Sequence, residues 1–126
     1  MRIFKTRWMA RFARKSRIDD ALLVEAIERA AKGLIDADLG GGVIKQRVGR
    51  PGQGRSGGYR TLIAIRRGDR AIFVFAFAKN EMDNIGTDQL LVIKELAAKA
   101  LGWSEAELRE AMADGRIEEI RDGKSD

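Results

Sequence analysis

"YRTLIAIRRGDRAIFVFAFAK", residues 59–79, holds two β-branched and aromatic runs on either side of Gly68-Asp69. A glycine-containing dipeptide between such runs signals a tight hairpin, because only a residue without Cβ takes the positive φ the turn needs at no steric cost. The second run contains "FVFAFA" (73–78), apolar at every position. Alternation of side chains along a strand means that both faces must be covered, either by two layers of this chain or on one side by a partner chain. The middle of the chain is therefore sheet.

Outward from the hairpin the pattern is mixed. "GVIKQRV" (42–48) reads as a further strand and "MRIFK" (1–5) as a short one. Between them the period is helical. Trp8, Met9, Phe12 and Ala13 fall on one side of a helix, opposite Arg7, Arg11, Arg14 and Lys15. In "DDALLVEAIERAAKGL" (19–34), Asp19 or Asp20 can cap the start, and Leu22, Leu23, Ala26, Ile27, Ala30 and Leu34 form the apolar stripe. After the sheet, a helix over roughly 87–101 buries Ile93, Leu96, Ala97, Ala100 and Leu101 and stops at Gly102. Ser104 and Glu107 make a capping box for a last helix, roughly 104–113. The expected fold is α+β: a mainly antiparallel sheet of about four strands, with an N-terminal helix pair on one face and C-terminal helices. At 126 residues we expect one domain, 1–126.

Composition removes whole classes of chemistry. With no cysteine and no histidine, disulfides, thiolate clusters and the usual zinc ligands are excluded, as is the commonest acid–base side chain. No metal and no cofactor is expected. No apolar run approaches a membrane span, and the cationic N-terminus lacks the apolar core of a signal peptide, so the expectation is a cytoplasmic protein without a membrane partner. The net charge is +5 and unevenly spread. Residues 1–17 carry seven cations and no acid, residues 45–70 eight cations against Asp69 alone, and acids outnumber bases from Ser104 on. A basic body fits a polyanionic partner such as nucleic acid.

Residues 41–60, "GGVIKQRVGRPGQGRSGGYR", concentrate that character with seven glycines, five cations and no acid. "GRPGQGRS" and "GQGRSG" fit phosphate-loop and dinucleotide patterns, but both mechanisms need a helix to begin where the loop ends, and a strand follows instead. The stretch reads as a flexible connection whose arginines are free to meet an anion. On its flanks, Lys45 and Arg47 are two apart on a strand and share a face, while Ile44 and Val48 take the other. If the strands are antiparallel neighbours, Lys45, Arg47, Arg60 and Lys79 converge, with Tyr59 beside them. Such a cluster can cleave RNA without histidine or metal. The 2′-hydroxyl attacks its own phosphodiester, a lysine whose pKa neighbouring cations depress takes the proton, and arginines stabilise the oxyanion.

The order of strand, helix pair and three-stranded meander, with the blocks "DADLGGGVIKQRV" (36–48), "GQGRSGGYRTL" (52–62) and "FAKNE" (77–81), resembles the RelE/HigB superfamily of toxins from bacterial toxin–antitoxin pairs, and its HigB-like branch most. The resemblance runs from about residue 3 to 120. It implies a metal-independent endoribonuclease, an mRNA interferase, that cuts mRNA on the ribosome, arrests growth and is silenced by a helix-turn-helix antitoxin. A homodimer or a toxin–antitoxin heterotetramer is compatible with it. By position it implies catalytic roles for Lys45, Arg47, Arg60 and Lys79, and RNA contacts for Arg50, Arg55, Tyr59 and Asn80. Asn80 stands where several relatives have a transition-state arginine and no tyrosine follows Glu81, which leaves Lys79 or Arg55 for that role. Two other readings are a noncatalytic inhibitor of DNA gyrase on the same scaffold, which would lack the Lys45/Arg47 pair, and a plain nucleic-acid-binding module using the N-terminal arginines and the glycine-rich loop.

Overall fold

The computed structural model describes residues 1–50, 54–78 and 86–120, with side chains for all of these except 50 and 54–57. The elements run β1 (Arg2–Thr6), α1 (Arg7–Ser16), α2 (Asp20–Ala31), β2 (Ala37–Gly40), β3 (Val43–Arg50), β4 (Gly54–Arg66), β5 (Arg70–Ala78), α3 (Thr87–Leu101), α4 (Glu105–Ala113) and β6 (Ile117–Ile120). One sheet of six strands has the order β2-β3-β4-β5-β1-β6. Every neighbouring pair is antiparallel except β1–β5. The fold is thus α+β and mostly antiparallel, as expected, with two strands more than expected. The additions, "ADLG" and "IEEI", are four residues each, too short for a period of two to stand out from loop.

The helices sit where hydrophobic periodicity puts them. Asp19 caps α2 by accepting from the Leu22 amide at 3.2 Å. Gly33, at φ 82°, turns the chain out of that helix while the Leu34 amide reaches back to the Arg29 carbonyl. Leu34 therefore leaves the helix and is 60% exposed, contrary to its place on the expected stripe. Ser104 and Glu107 form the capping box reciprocally. On α3, Ile93, Ala97 and Ala100 are buried as expected, but Leu96 is 44% exposed. No helix among the described residues is long and apolar enough to cross a membrane.

Both sheet faces are covered, which accounts for the wholly apolar β5. On one face Ile44, Val48, Tyr59, Ile63, Ala71 and Phe73 pack with Met9, Ala13, Leu23, Ala26, Ile27 and Ala30 of α1 and α2. On the other, Val43, Leu62, Ala64 and Ile72 pack with Ile93, Ala97 and Ala100 of α3 and Leu108 and Ala111 of α4. A bulge adjusts β5 between them. Leu62 pairs with Phe75 and Ile63 with Phe73, so Val74 is the extra residue, and Val74 and Phe75 both join the α3 side. β1 ends at this point, Thr6 Oγ1 donating to the Val74 carbonyl at 3.2 Å. The chain then turns into α1, whose Trp8 stacks on Phe75 with ring centroids 4.5 Å apart.

Several cations of the basic body are structural. Arg70, 5% exposed, donates to the Ala100 carbonyl at 3.1 Å and the Trp103 carbonyl at 2.9 Å, closing the C-terminal end of α3. Substituting methionine keeps the aliphatic stem but takes the side-chain donor from both carbonyls, leaving Ala100 only its backbone donors, and removes the ion pair to Asp69 at 3.1 Å. Arg70→Met should lower unfolding stability by on the order of 3 kcal/mol, read as a shift in the urea midpoint at unchanged slope.

Candidate functional site

β3 and β4 pair in a register that sets Arg47 directly opposite Arg60 and Lys45 opposite Leu62. Alternation then places Lys45, Arg47 and Arg60 on one face, the one that carries Val43 and Leu62 toward α3. α3 crosses this face near its other end, where Lys94 lies against Gly40 and Gly41 and Leu101 against Gly42. Lys45 and Arg60 are half-buried and Arg47 is exposed. The expected convergence of Lys45, Arg47 and Arg60 is present.

The arrangement is costly as it stands. Directly opposed like charges on neighbouring strands destabilise a sheet, and a buried N–H without a partner costs about 1–3 kcal/mol. Both occur at Arg60, whose buried Nη1 has no hydrogen-bond partner among the described residues. Lys45 makes no ion pair among them either. Among the described residues Asp36 is the counter-charge paired with this cluster, its Oδ2 3.9 Å from Arg47 Nε. Negative charge brought to this face would offset the opposition of the two guanidinium groups.

The backbone beneath these cations is held by groups the sequence reading passed over. β2 pairs with β3 only from Gly40 to Ala37, so beyond Lys45 the outer edge of β3 needs other partners. Asp36 Oδ2 accepts from the Arg47 amide at 2.6 Å. Arg29, tied to Glu25 at 2.8 Å, donates to the Arg47 carbonyl. Gln46, fully buried between the two catalytic candidates, accepts from the Asp36 amide at 2.9 Å and donates to the Ala26 and Leu34 carbonyls at 2.9 and 3.2 Å. Thr61 Oγ1 donates to the Gln46 carbonyl at 2.9 Å. The signal was available: in "VIKQRV" the same alternation that exposes Lys45 and Arg47 sends Gln46 inward with Ile44 and Val48, and a buried amide implies partners.

The remaining site residues divide. Tyr59 does not line the cationic face. It is 6% exposed on the opposite side of the sheet, edge-on to Phe12 with centroids 5.4 Å apart. The reason is the strand period, which turns neighbours Tyr59 and Arg60 to opposite faces. Lys79 and Asn80 lie outside the described residues, as do the side chains of Arg50 and Arg55. Their backbone corrects one expectation: β3 continues to Arg50 and β4 begins at Gly54, with Arg50 paired to Gly54 across a register shift. The flexible connection is mostly a β-arm, because main-chain pairing needs no side chain and glycine does not prevent it.

The uneven charge also resolves into pairs. Arg2 meets Glu119 at 2.9 Å and Glu105 at 3.2 Å, and Arg14 approaches Glu118 at 3.8 Å. Hydrogen bonding to Glu119 raises the Arg2 pKa above its ordinary value. Hydrogen bonding from Arg66 holds the Asp69 carboxyl below the usual carboxylate range, and Arg116 does the same for Asp114. The acidic tail is thus in part a counter-charge for the N-terminal strand and helix, while Lys45 and Arg60 have no ion pair among the described residues.

A family model described as the RelE toxin of the RelE / RelB toxin–antitoxin system matches residues 1–120. No curated protein and no solved structure was found to match.

Proposed function

The chain belongs to the RelE toxin family and is a toxin of a toxin–antitoxin system, and from that premise we propose that it is a metal-independent, ribosome-dependent mRNA endoribonuclease of the HigB-like branch. Toxins of this family are generally mRNA-cleaving, and they pair with antitoxins. The observation that supports the activity here is the Arg47–Arg60 pair, with Arg60 Nη1 unsatisfied. Fixed donors that already lack a partner before substrate arrives cost no reorganisation when charge develops.

In the proposed reaction Lys45 accepts the proton of the 2′-hydroxyl as its oxygen bonds to the adjacent phosphorus. Arg60 and Arg47 neutralise the equatorial oxygens, and the P–O5′ bond breaks. The products are a 2′,3′-cyclic phosphate and a 5′-hydroxyl, the leaving oxygen taking up one proton. Lys79 and Asn80 complete the substrate contacts in this proposal, as Arg50 and Arg55 do along the β-arm. Tyr59 serves the core beneath.

The test is cleavage of a defined mRNA by purified protein with and without programmed ribosomes, in the presence of a chelator. Cuts in reading frame bearing cyclic phosphate ends, formed only with ribosomes, are expected. Equal cutting of naked RNA would remove ribosome dependence, and growth arrest without cleavage would favour the gyrase reading. The Arg50→Ala, Arg55→Ala double variant should bind ribosomes with a salt slope shallower by roughly two phosphate contacts.

A further inference from the structure

Away from the cation cluster, a cleft of about 460 Å³ opens between α1 and the α3–α4 layer. Ile72 of β5, fully buried, forms its floor with Ala100 and Ile117. Trp8 and Trp103 form its walls, and Leu96, 44% exposed, lies at its rim. The walls are fixed before anything enters. Trp8 stacks on Phe75 and on Phe12, with centroids 4.5 and 5.4 Å apart, and the Arg116 guanidinium lies 5.5 Å from the centre of the Trp103 ring. A preformed, mostly apolar concavity of this size falls within the range of small-molecule sites, about 300–1,000 Å³.

The polar side chains of the lining define the class of ligand, because those still free are all donors. Thr6 Oγ1 is engaged, donating to the Val74 carbonyl at 3.2 Å and accepting from the Met9 amide at 3.1 Å. The indole N–H groups of Trp8 and Trp103 have no acceptor among the described residues, and an indole can only donate. Three guanidinium groups complete the lining, those of Arg7, Arg11 and Arg116, and no carboxylate accompanies them there. Arg7 donates to the Asp114 and Gly115 carbonyls, neutral partners that leave its charge in place, and Arg116 is paired with the Asp114 carboxylate at 2.9 Å. Among the described residues Arg14 is the α1 cation held in an ion pair, with Glu118, so exposed Arg11 is free. A ligand must therefore be apolar where it lies on Ile72 and Ala100, since a polar atom there would be unpaired, and rich in acceptors where it meets Arg11. Three guanidinium groups repel a cation. A nucleobase brings donors as well as acceptors and finds no free side-chain acceptor in the lining. A carboxylate matches the guanidinium fork with two parallel hydrogen bonds.

We propose that this cleft is a binding site for an amphipathic monocarboxylate, whose aliphatic chain lies on Ile72 and Ala100 between the two indoles and whose carboxylate pairs with Arg11. No residue of the Lys45, Arg47 and Arg60 cluster lines the cleft, so the site does not depend on the nuclease reading. Its occupant touches α1, β5 and α3 at once. Binding therefore ties the N-terminal helix to the C-terminal layer and raises the melting temperature with ligand concentration.

Octanoate is the probe. The chain's two tryptophans both line the cleft, so tryptophan emission and the two indole N–H resonances report occupancy directly. Octanoate should perturb both saturably and raise the melting temperature. Uncharged 1-octanol should bind at least about tenfold more weakly, as expected for losing a charge-assisted hydrogen bond, and octylammonium should not bind. Arg11→Gln should weaken octanoate binding about tenfold and leave 1-octanol binding unchanged, a split that a merely structural role for Arg11 would not produce. Leu96→Glu, which sets a carboxylate at the rim, should weaken octanoate more than 1-octanol. Both positions are exposed, and unchanged urea midpoints check that the variants fold. The proposal is overturned by unmoved indole resonances in the parent protein, by equal affinity for octanoate and 1-octanol, or by full octanoate affinity in folded Arg11→Gln.

Discussion

Arg60→Met is expected to lower ribosome-dependent cleavage by about 10²–10³-fold, the usual cost of removing one preorganised donor from developing charge, while leaving the protein at least as stable as the parent. The two halves of this expectation come from one geometry. Arg60 faces Arg47 across β3 and β4, and its Nη1 has no partner among the described residues. Methionine retains the stem that packs beside Leu62 and Phe77 but removes both the like-charge opposition and the unsatisfied donor. A residue kept for folding would show the opposite pattern, losing stability along with activity. Denaturant midpoint and single-turnover cleavage, measured on the same preparation, separate the two. Full cleavage by a folded Arg60→Met protein would remove Arg60 from the reaction and, with it, the main support for the nuclease reading. Gains in stability from neutralising a site residue are what a site built against the stability of its own fold predicts.

What could be read from the sequence followed the range of the interaction that caused it. The β4–β5 hairpin, the two N-terminal helices and the Ser104–Glu107 capping box are set by residues a few positions apart, and all are present. The cationic cluster was legible for the same reason: Lys45 and Arg47 need only the strand period, and Arg60 joins them through one antiparallel pairing. Longer-range partners were not legible. Arg70 reads as one more surface cation until α3, 30 residues later, presents its C-terminal carbonyls. Arg2 and Glu119 are 117 positions apart, so the acidic tail reads as a separate charge block and not as the partner of β1. Tyr59 was misplaced for a different reason. Tyr59 adjoins Arg60 along the chain, but the alternation that puts Lys45 and Arg47 on one face turns Tyr59 to the other.

Gln46→Leu tests whether the site depends on its buried amide. Leucine has nearly the shape of glutamine and no polar atoms, so packing beside Ile44 and Val48 is kept while three hydrogen bonds are lost. The Asp36 amide loses its acceptor and the Leu34 carbonyl this donor, while the Ala26 carbonyl, inside α2, loses a second donor and keeps its helical one. Unmet buried groups cost about 1–3 kcal/mol each. Because water can reach the partly buried members, the expected loss is about 3 kcal/mol rather than the full sum. The effect on function should exceed what unfolding explains. Gln46 holds Asp36, and Asp36 holds the Arg47 amide at 2.6 Å with its carboxylate facing the Arg47 guanidinium. Releasing the segment between α2 and β2 frees that carboxylate and lets the β3 edge shift under Arg47, and misplacement by about 1 Å can cost on the order of 10²-fold in rate. Cleavage measured well below the melting temperature should therefore fall at least about tenfold with the protein folded. Asp36→Asn, which keeps the amide contact to Gln46 but removes the charge beside Arg47, separates the two causes. If Gln46→Leu loses stability yet cuts at the parental rate when folded, Gln46 ties α2 to β3 and has no part in placing Arg47.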